Sequence, residues 1–186
     1  MAELRVRSDL SALASYQTFP FDLPVQVRPL ADTVAQEPPR HGLSAEDCHA
    51  CASVDDDYIW TDESWRLRIW SESPLPGVVL LESRVHADSF LDLPPDLLTA
   101  FGPMCARVER ALYGLGGIGR VHLYRWGDGG AHFHVWFYPR PYGRLQLRGS
   151  FITAWSPVLE PQPVEDLAAA GRVIAAGMRG ESGSEA

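Results

Sequence analysis

The spacing of apolar residues changes period several times along the chain. Residues 65–70 (WRLRIW) alternate, with Trp65, Leu67 and Ile69 on one side, which predicts a half-buried strand. Residues 77–83 (GVVLLES) form a β-branched and leucine run closed by Ser83 and Arg84, and predict a second strand. The period then lengthens. Leu97, Leu98, Phe101, Met104, Val108, Ala111, Leu112 and Leu115 recur at spacings of three and four, the signature of one helix face. Pro94 and Pro95 supply its start and the glycines at 114, 116 and 117 its end, while Pro103 is expected to kink it or shift its start. Residues 119–125 (GRVHLYR) and 131–138 (AHFHVWFY) alternate again about WGDGG, a strong turn signal. Residues 164–178 (VEDLAAAGRVIAAGM) predict a closing helix. Strands, long helix, hairpin and helix in that order imply an α+β fold. Its antiparallel sheet carries the long helix and the C-terminal helix packed on one face.

The ends are less regular. Residues 1–45 hold Pro20, Pro24, Pro29, Pro38 and Pro39 and read as an irregular N-terminal arm, with one short strand expected near 25–27. Residues 46–178 form the domain, and 179–186, small and polar, are expected to be a disordered tail. No internal repeat is present.

At 186 residues, with 46% apolar and 22% charged residues, the chain is long enough for one domain with a real core. A net charge of −8 argues against non-specific binding to nucleic acid or anionic membrane, but leaves room for a small anionic ligand held by placed cations. No apolar run reaches membrane-spanning length and the N-terminus lacks the apolar centre of a secretory signal, so a cytoplasmic protein is expected. Three cysteines do not make a disulfide framework. Cys105, in the apolar helix, reads as a buried thiol.

The chemistry concentrates in GGAHFHVWFYPRP, residues 129–141. In a strand, His132, His134, Trp136 and Tyr138 share one face, while Phe133, Val135 and Phe137 point to the core. Neighbouring imidazoles on one strand face stand too far apart to share a metal easily, but suit two adjacent tasks, one as a ligand and one as a reactive base or nucleophile. Two satisfied half-buried histidines are the plain alternative. Cys48 and Cys51 have the C-x-x-C spacing that lets two thiolates reach one zinc; His86, after the second strand, and His132 are candidates to complete four ligands. A redox C-x-x-C is the alternative, although such a motif belongs at a helix start after a strand rather than after a proline-rich arm. His41 and His49 read as solvated and His122 as structural.

Residues 48–140 resemble the histidine triad (HIT) superfamily, in particular its zinc-bearing branch related to galactose-1-phosphate uridylyltransferase. The family pattern His-φ-His-φ-His-φ-φ, often followed by Pro-Arg, reads here as His132-Phe133-His134-Val135-Trp136-Phe137-Tyr138-Pro139-Arg140. Pro-Arg sets the register, so Trp136 stands in the third triad place. The upstream C-x-x-C, LLESRVH, LDLPPDLL and WGDGG are also similar to the family. The resemblance implies a structural zinc on Cys48, Cys51, His86 and His132. It also implies a nucleophilic His134 that forms a covalent nucleotidyl-imidazole at a nucleotide α-phosphate, and a homodimer. Arg125 and Arg140, with Arg144 and Arg148 nearby, are candidate phosphate contacts, and Trp136 is expected to reshape the substrate pocket. The family's third-place histidine or glutamine contacts phosphate oxygens; an indole donates one N–H and accepts nothing. The loop before the motif also lacks the glutamine and the serine or threonine of many members. Three functions therefore stay open: a nucleotidyl hydrolase or transferase acting on a small nucleotide or phosphorylated substrate, a catalytically impaired nucleotide-binding or scaffold protein, and a metalloenzyme with an open metal position.

Overall fold

The computed structural model describes residues 10–22 and 24–180. The elements in chain order are α1 (Ser11–Ala14), α2 (His49–Ala52), β1 (Trp60–Thr61), β2 (Trp65–Ile69), β3 (Val79–Ser83), α3 (Pro95–Tyr113), β4 (Ile118–Tyr124), β5 (His134–Pro141), α4 (Ile152–Trp155) and α5 (Val164–Arg179). The five strands form one antiparallel sheet in the order β1-β2-β3-β5-β4. Two long helices cover one face, as the alternation and the helical period require.

On that face Trp65 and Leu67 from β2, Val79 and Leu81 from β3, and Phe133, Val135 and Phe137 meet Leu97, Met104, Val108, Ala111 and Leu112 of α3 and Ile174 and Met178 of α5. Burial of this one cluster is the main favourable term for the fold. The two helices approach closely: a Cβ on Gly177 would stand 2.9 Å from the Cα of Ala111, so only glycine permits the crossing. Pro103 does not end α3. It lies on the exposed side of the helix, where the missing N–H costs least, and the residue before it is Gly102, which has no Cβ to clash with the proline ring.

The opposite face is covered too, which the sequence did not announce. At one end α2 lies over it. At the other, residues 144–159 bring Leu147, Ile152, Trp155 and Leu159 against Trp70, Tyr124, Trp136 and Tyr138. The arm joins this layer: Phe19 meets Phe151 edge-on, and the Trp155 indole N–H donates to the Thr18 carbonyl. The strand expected near 25–27 does not form; prolines at 20, 24 and 29 supply no ladder N–H and break up the segment. The expected tail lies outside the described residues from 181 onward. The turn between β4 and β5 is a longer connection than the hairpin signal suggested, because β5 begins at His134 rather than before His132.

Candidate metal centre and the adjoining cleft

Four side chains from three places in the chain converge. The Sγ atoms of Cys48 and Cys51 and one ring nitrogen each of His86 and His132 lie within 4.8 Å of one another. Cys48 Sγ is 3.3 Å from His132 Nδ1, and Cys51 Sγ is 3.3 Å from His86 Nδ1 and 3.6 Å from His132 Nδ1. Ligands at zinc bond lengths and tetrahedral angles stand roughly 3.4–3.8 Å apart, so the spacing fits such an ion. His132 donates its Nε2 hydrogen to the Ser83 carbonyl at 2.7 Å, which leaves Nδ1 as the lone-pair nitrogen facing the thiols. Burial pushes the Cys51 thiol up to about 11, with Cys48 beside it adding to the effect. A coordinated cation reverses that preference, because it deprotonates the thiols it binds. Burial also holds the His132 ring below the usual imidazole range, in the neutral form a metal needs.

The knuckle that carries the cysteines is held from the sheet. Arg66, on the polar side of β2, is buried, with one guanidinium nitrogen donating to the Ser53 carbonyl at 3.1 Å and the other to the Ala50 carbonyl at 2.5 Å. These are carbonyls at the end of α2, which points its C-terminal dipole at the cation. The Arg66 and Arg68 guanidiniums both lie against the Tyr58 ring, 4.6 and 4.5 Å from its centre.

Beside the metal centre lies a cleft of about 500 Å³ bordered by His41, Glu82, His132, His134 and Trp136. The two triad histidines and Trp136 therefore share one side, and Phe133, Val135 and Phe137 the other. His132 itself precedes the strand, so its ring is free to turn toward the cysteines. His134 donates its Nδ1 hydrogen to the His132 carbonyl at 2.7 Å, leaving Nε2 without a protein partner among the described residues. Glu82 stands directly across from His134 in the β3–β5 register. Trp136 is wedged between the cleft and the second cluster, 5.7 Å from Trp70 and 6.4 Å from His134, edge-on to both.

The arginines lie elsewhere. Arg125 donates to the Asp88 carbonyl and rests 5.3 Å from the Phe133 ring, on the core side of the sheet. Arg140 donates to the Pro141 carbonyl at 3.1 Å and covers Gly119, where an added Cβ would lie 2.7 Å from its guanidinium. It is six residues beyond His134, roughly 20 Å along the strand. Neither borders the cleft. Proximity in sequence to the motif was the only sign for them, and strand length and loop direction carry them away. Arg144 borders a separate cleft of about 540 Å³ with Trp155.

Two contributors gave no local signal. Arg66 looks like the solvated residue of an alternating strand. His41, in the arm, is brought to the cleft by a parallel bridge to Gly130: its N–H donates to the Gly129 carbonyl at 3.2 Å, and its carbonyl accepts from Ala131 N–H at 2.9 Å.

No protein-family model matches the sequence, and no curated protein matches it. Solved structures do. A Zn-bound histidine triad family protein from Mycobacterium smegmatis is 21% identical, with a TM-score of 0.56 over 74% of this chain and 97% of that one. A hypothetical histidine triad nucleotide-binding protein from Sulfolobus tokodaii is 16% identical, with a TM-score of 0.52 over 67% and 84%. A uridylyltransferase mutant is 15% identical, with a TM-score of 0.50 over 72% of this chain and 47% of that one. At these identities the likeness is one of fold, and the fold of this chain is that of the histidine triad (HIT) proteins.

Proposed function

We propose that the protein is a zinc-containing nucleotidyl hydrolase or transferase that works at a nucleotide α-phosphate through His134. The observation that carries this reading is the His134 ring. Its Nδ1 hydrogen is committed to the His132 carbonyl, which fixes the tautomer with the Nε2 lone pair in the cleft. A neutral imidazole held in that way is a competent nucleophile near pH 7. In the first step His134 Nε2 forms a bond to the α-phosphorus. The bond from phosphorus to the leaving group breaks, and that group departs with the electron pair and takes a proton from solvent. In the second step water, or the hydroxyl of an acceptor, attacks phosphorus and breaks the N–P bond, giving its proton to solvent and returning the free imidazole.

Cys48, Cys51, His86 and His132 hold zinc in this reading. The ion's contribution is structural: it neutralises two thiolates and ties the arm side of the chain to the sheet. Four protein ligands close a tetrahedral site, which favours this role over a metal with an open position. Residues 46–178 are the catalytic unit and residues 1–45 an added arm. The fold's likeness to nucleotide-binding proteins supports a small nucleotide substrate, and the resemblance supports a homodimer. No helix among the described residues is long and apolar enough to cross a membrane.

One observation favours binding without turnover. Trp136 fills the third triad place with an indole packed into the second cluster. One experiment separates the readings. Incubation with a panel of nucleoside phosphoramidates and dinucleotides, followed by intact-mass measurement, gives a nucleotidyl adduct on the wild type and none on His134→Ala. Trp136→His, if the indole only blocks the site, increases turnover. Binding of the panel with no adduct under any condition selects the binding-only reading.

A further inference from the structure

The chain contains no lysine, and none of the described arginines borders the cleft. Among the described residues, the acidic ones that do, Asp47 and Glu82, repel a phosphoryl group. Displacement at phosphorus nevertheless needs donors on the non-bridging oxygens, and Trp136 has replaced the imidazole expected there. Beside the indole, the side-chain N–H donors left on the cleft among the described residues are imidazoles. His132 faces the thiols and His134 is the nucleophile. His49 lies on α2, with its Nδ1 3.5 Å from the Ser53 hydroxyl. His41 remains.

His41 is held with unusual care for a residue of an irregular arm. Its main chain is bridged on both sides to residues 129 and 131. The preceding Arg40 is anchored by both its terminal nitrogens to the Asp88 carboxylate, and at 2.8 Å to the Gly127 carbonyl. The following Gly42 turns with φ +67°, and a Cβ there would stand 3.1 Å from the Cα of Cys48. Three successive residues are therefore locked by their main chain or by Arg40. His41 is exposed and borders the cleft, and its ring makes none of these contacts and has no hydrogen-bond partner among the described residues. A structural histidine would use its ring; this one uses only its backbone.

We infer that His41 is a phosphate-binding residue: its imidazole donates to a non-bridging oxygen of the phosphoryl group attacked by His134, in place of the imidazole displaced by Trp136. The inference rests on the nucleotidyl-transfer reading and gives the arm its task. Binding energy for the phosphate comes from a segment outside the triad strand, and the arm's anchoring at Arg40 sets the position of the donor.

The test uses the full-length, zinc-loaded protein. Calorimetric titration with the four nucleoside 5′-monophosphates and the four matching nucleosides is performed on wild type, His41→Ala and His41→Asn. Wild type binds at least one monophosphate more tightly than its nucleoside. His41→Ala loses roughly tenfold or more in monophosphate affinity, the scale of a hydrogen bond to a charged group, with nucleoside affinity unchanged. His41→Asn, which keeps an N–H donor, recovers part of the loss. Zinc content and melting temperature stay at wild-type values in both variants, because the main-chain bridge does not use the ring. Equal monophosphate affinity in wild type and His41→Ala overturns the inference, as does an equal loss for nucleosides, which marks His41 as a mere wall. If His41→Ala is normal while His134→Ala still loses the covalent adduct, only the role of His41 falls. If wild type binds none of the eight ligands, the nucleotidyl reading falls with it.

Discussion

The His134 ring is tied by its Nδ1 hydrogen to the main-chain carbonyl of His132, 2.7 Å away. The imidazole facing the thiols and the imidazole facing the cleft are thus successive parts of one assembly, although their side chains do different work. The two substitutions should separate cleanly. His134→Ala abolishes adduct formation and leaves zinc content and stability near wild type. His132→Ala, or removal of metal by a chelator, releases the ion and lowers the melting temperature by about 10 °C or more, the expected scale for losing a structural zinc from a chain of this size. Because the His132 carbonyl orients His134, the metal-free protein also slows in adduct formation. Atomic emission for zinc, differential scanning calorimetry and intact mass check the three quantities. Full stability and rate without metal would count against the coupling.

Arg66 makes a second, independent prediction. Its fork spans the carbonyls of Ala50 and Ser53, which position the helix bearing both cysteines. Arg66→Met leaves the buried Ala50 carbonyl and the half-buried Ser53 carbonyl without their donors. It should lower zinc affinity at least tenfold and destabilise the protein by about 2–4 kcal/mol. Arg66→Lys should recover little, since an ammonium on a single stem cannot bridge two acceptors in fixed geometry. Competition with a chromophoric chelator measures the affinity; a lysine variant equal to wild type would show that charge alone suffices.

Helices α3 and α5 give a pair of stability changes of opposite sign. Gly177→Ala improves helix propensity but drives a methyl group to within 2.9 Å of the Ala111 backbone, so it should cost about 1–3 kcal/mol. Pro103→Ala, on the exposed side of α3, restores a helical N–H where nothing opposes it. It should stabilise by about 1–2 kcal/mol, the unfolded chain's added freedom offsetting part of the gain. Urea denaturation midpoints decide both; a stabilised Gly177→Ala would mean the helices can part without loss.

Burial pushes the Cys105 thiol up to about 11, so it remains protonated at pH 8. In native protein it should resist iodoacetamide, while denatured protein labels readily. The linkage has a definite sign. Between the unfolded value near 8.5 and the folded one, the unfolded chain holds fewer protons, so stability declines as pH rises through that window and is untouched below it. Intact-mass labelling at pH 8 checks the first point, and denaturation midpoints from pH 7 to 10 the second.

Much of this molecule was legible in the sequence, for identifiable reasons. Leu97, Met104, Val108 and Leu112 announce α3 because helical period and burial coincide. The clustering of Cys48, Cys51, His86 and His132 was legible from the C-x-x-C spacing together with the family resemblance. What stayed hidden is long-range. Arg66 alternates like a solvated residue, and only α2, folded onto it from outside the strand, makes it buried. His41 carries no pattern at all, since its position depends on pairing with a segment nearly ninety residues later. Residues 144–159 have no regular period because they form short turns of helix fitted to an aromatic surface rather than one face of a long element.

The bridge from His41 to Gly130 also governs when the cleft can exist. The arm is the first of these segments to leave the ribosome, yet its partner is among the last parts of the site to be made. Contacts so distant in the chain must overcome a large loop-closure entropy and form late in folding. The same short segment that receives the arm also delivers His132, the last of the four ligands in chain order. The metal pocket and the cleft wall therefore depend on the same short segment, residues 130–132. An incompletely folded chain has neither.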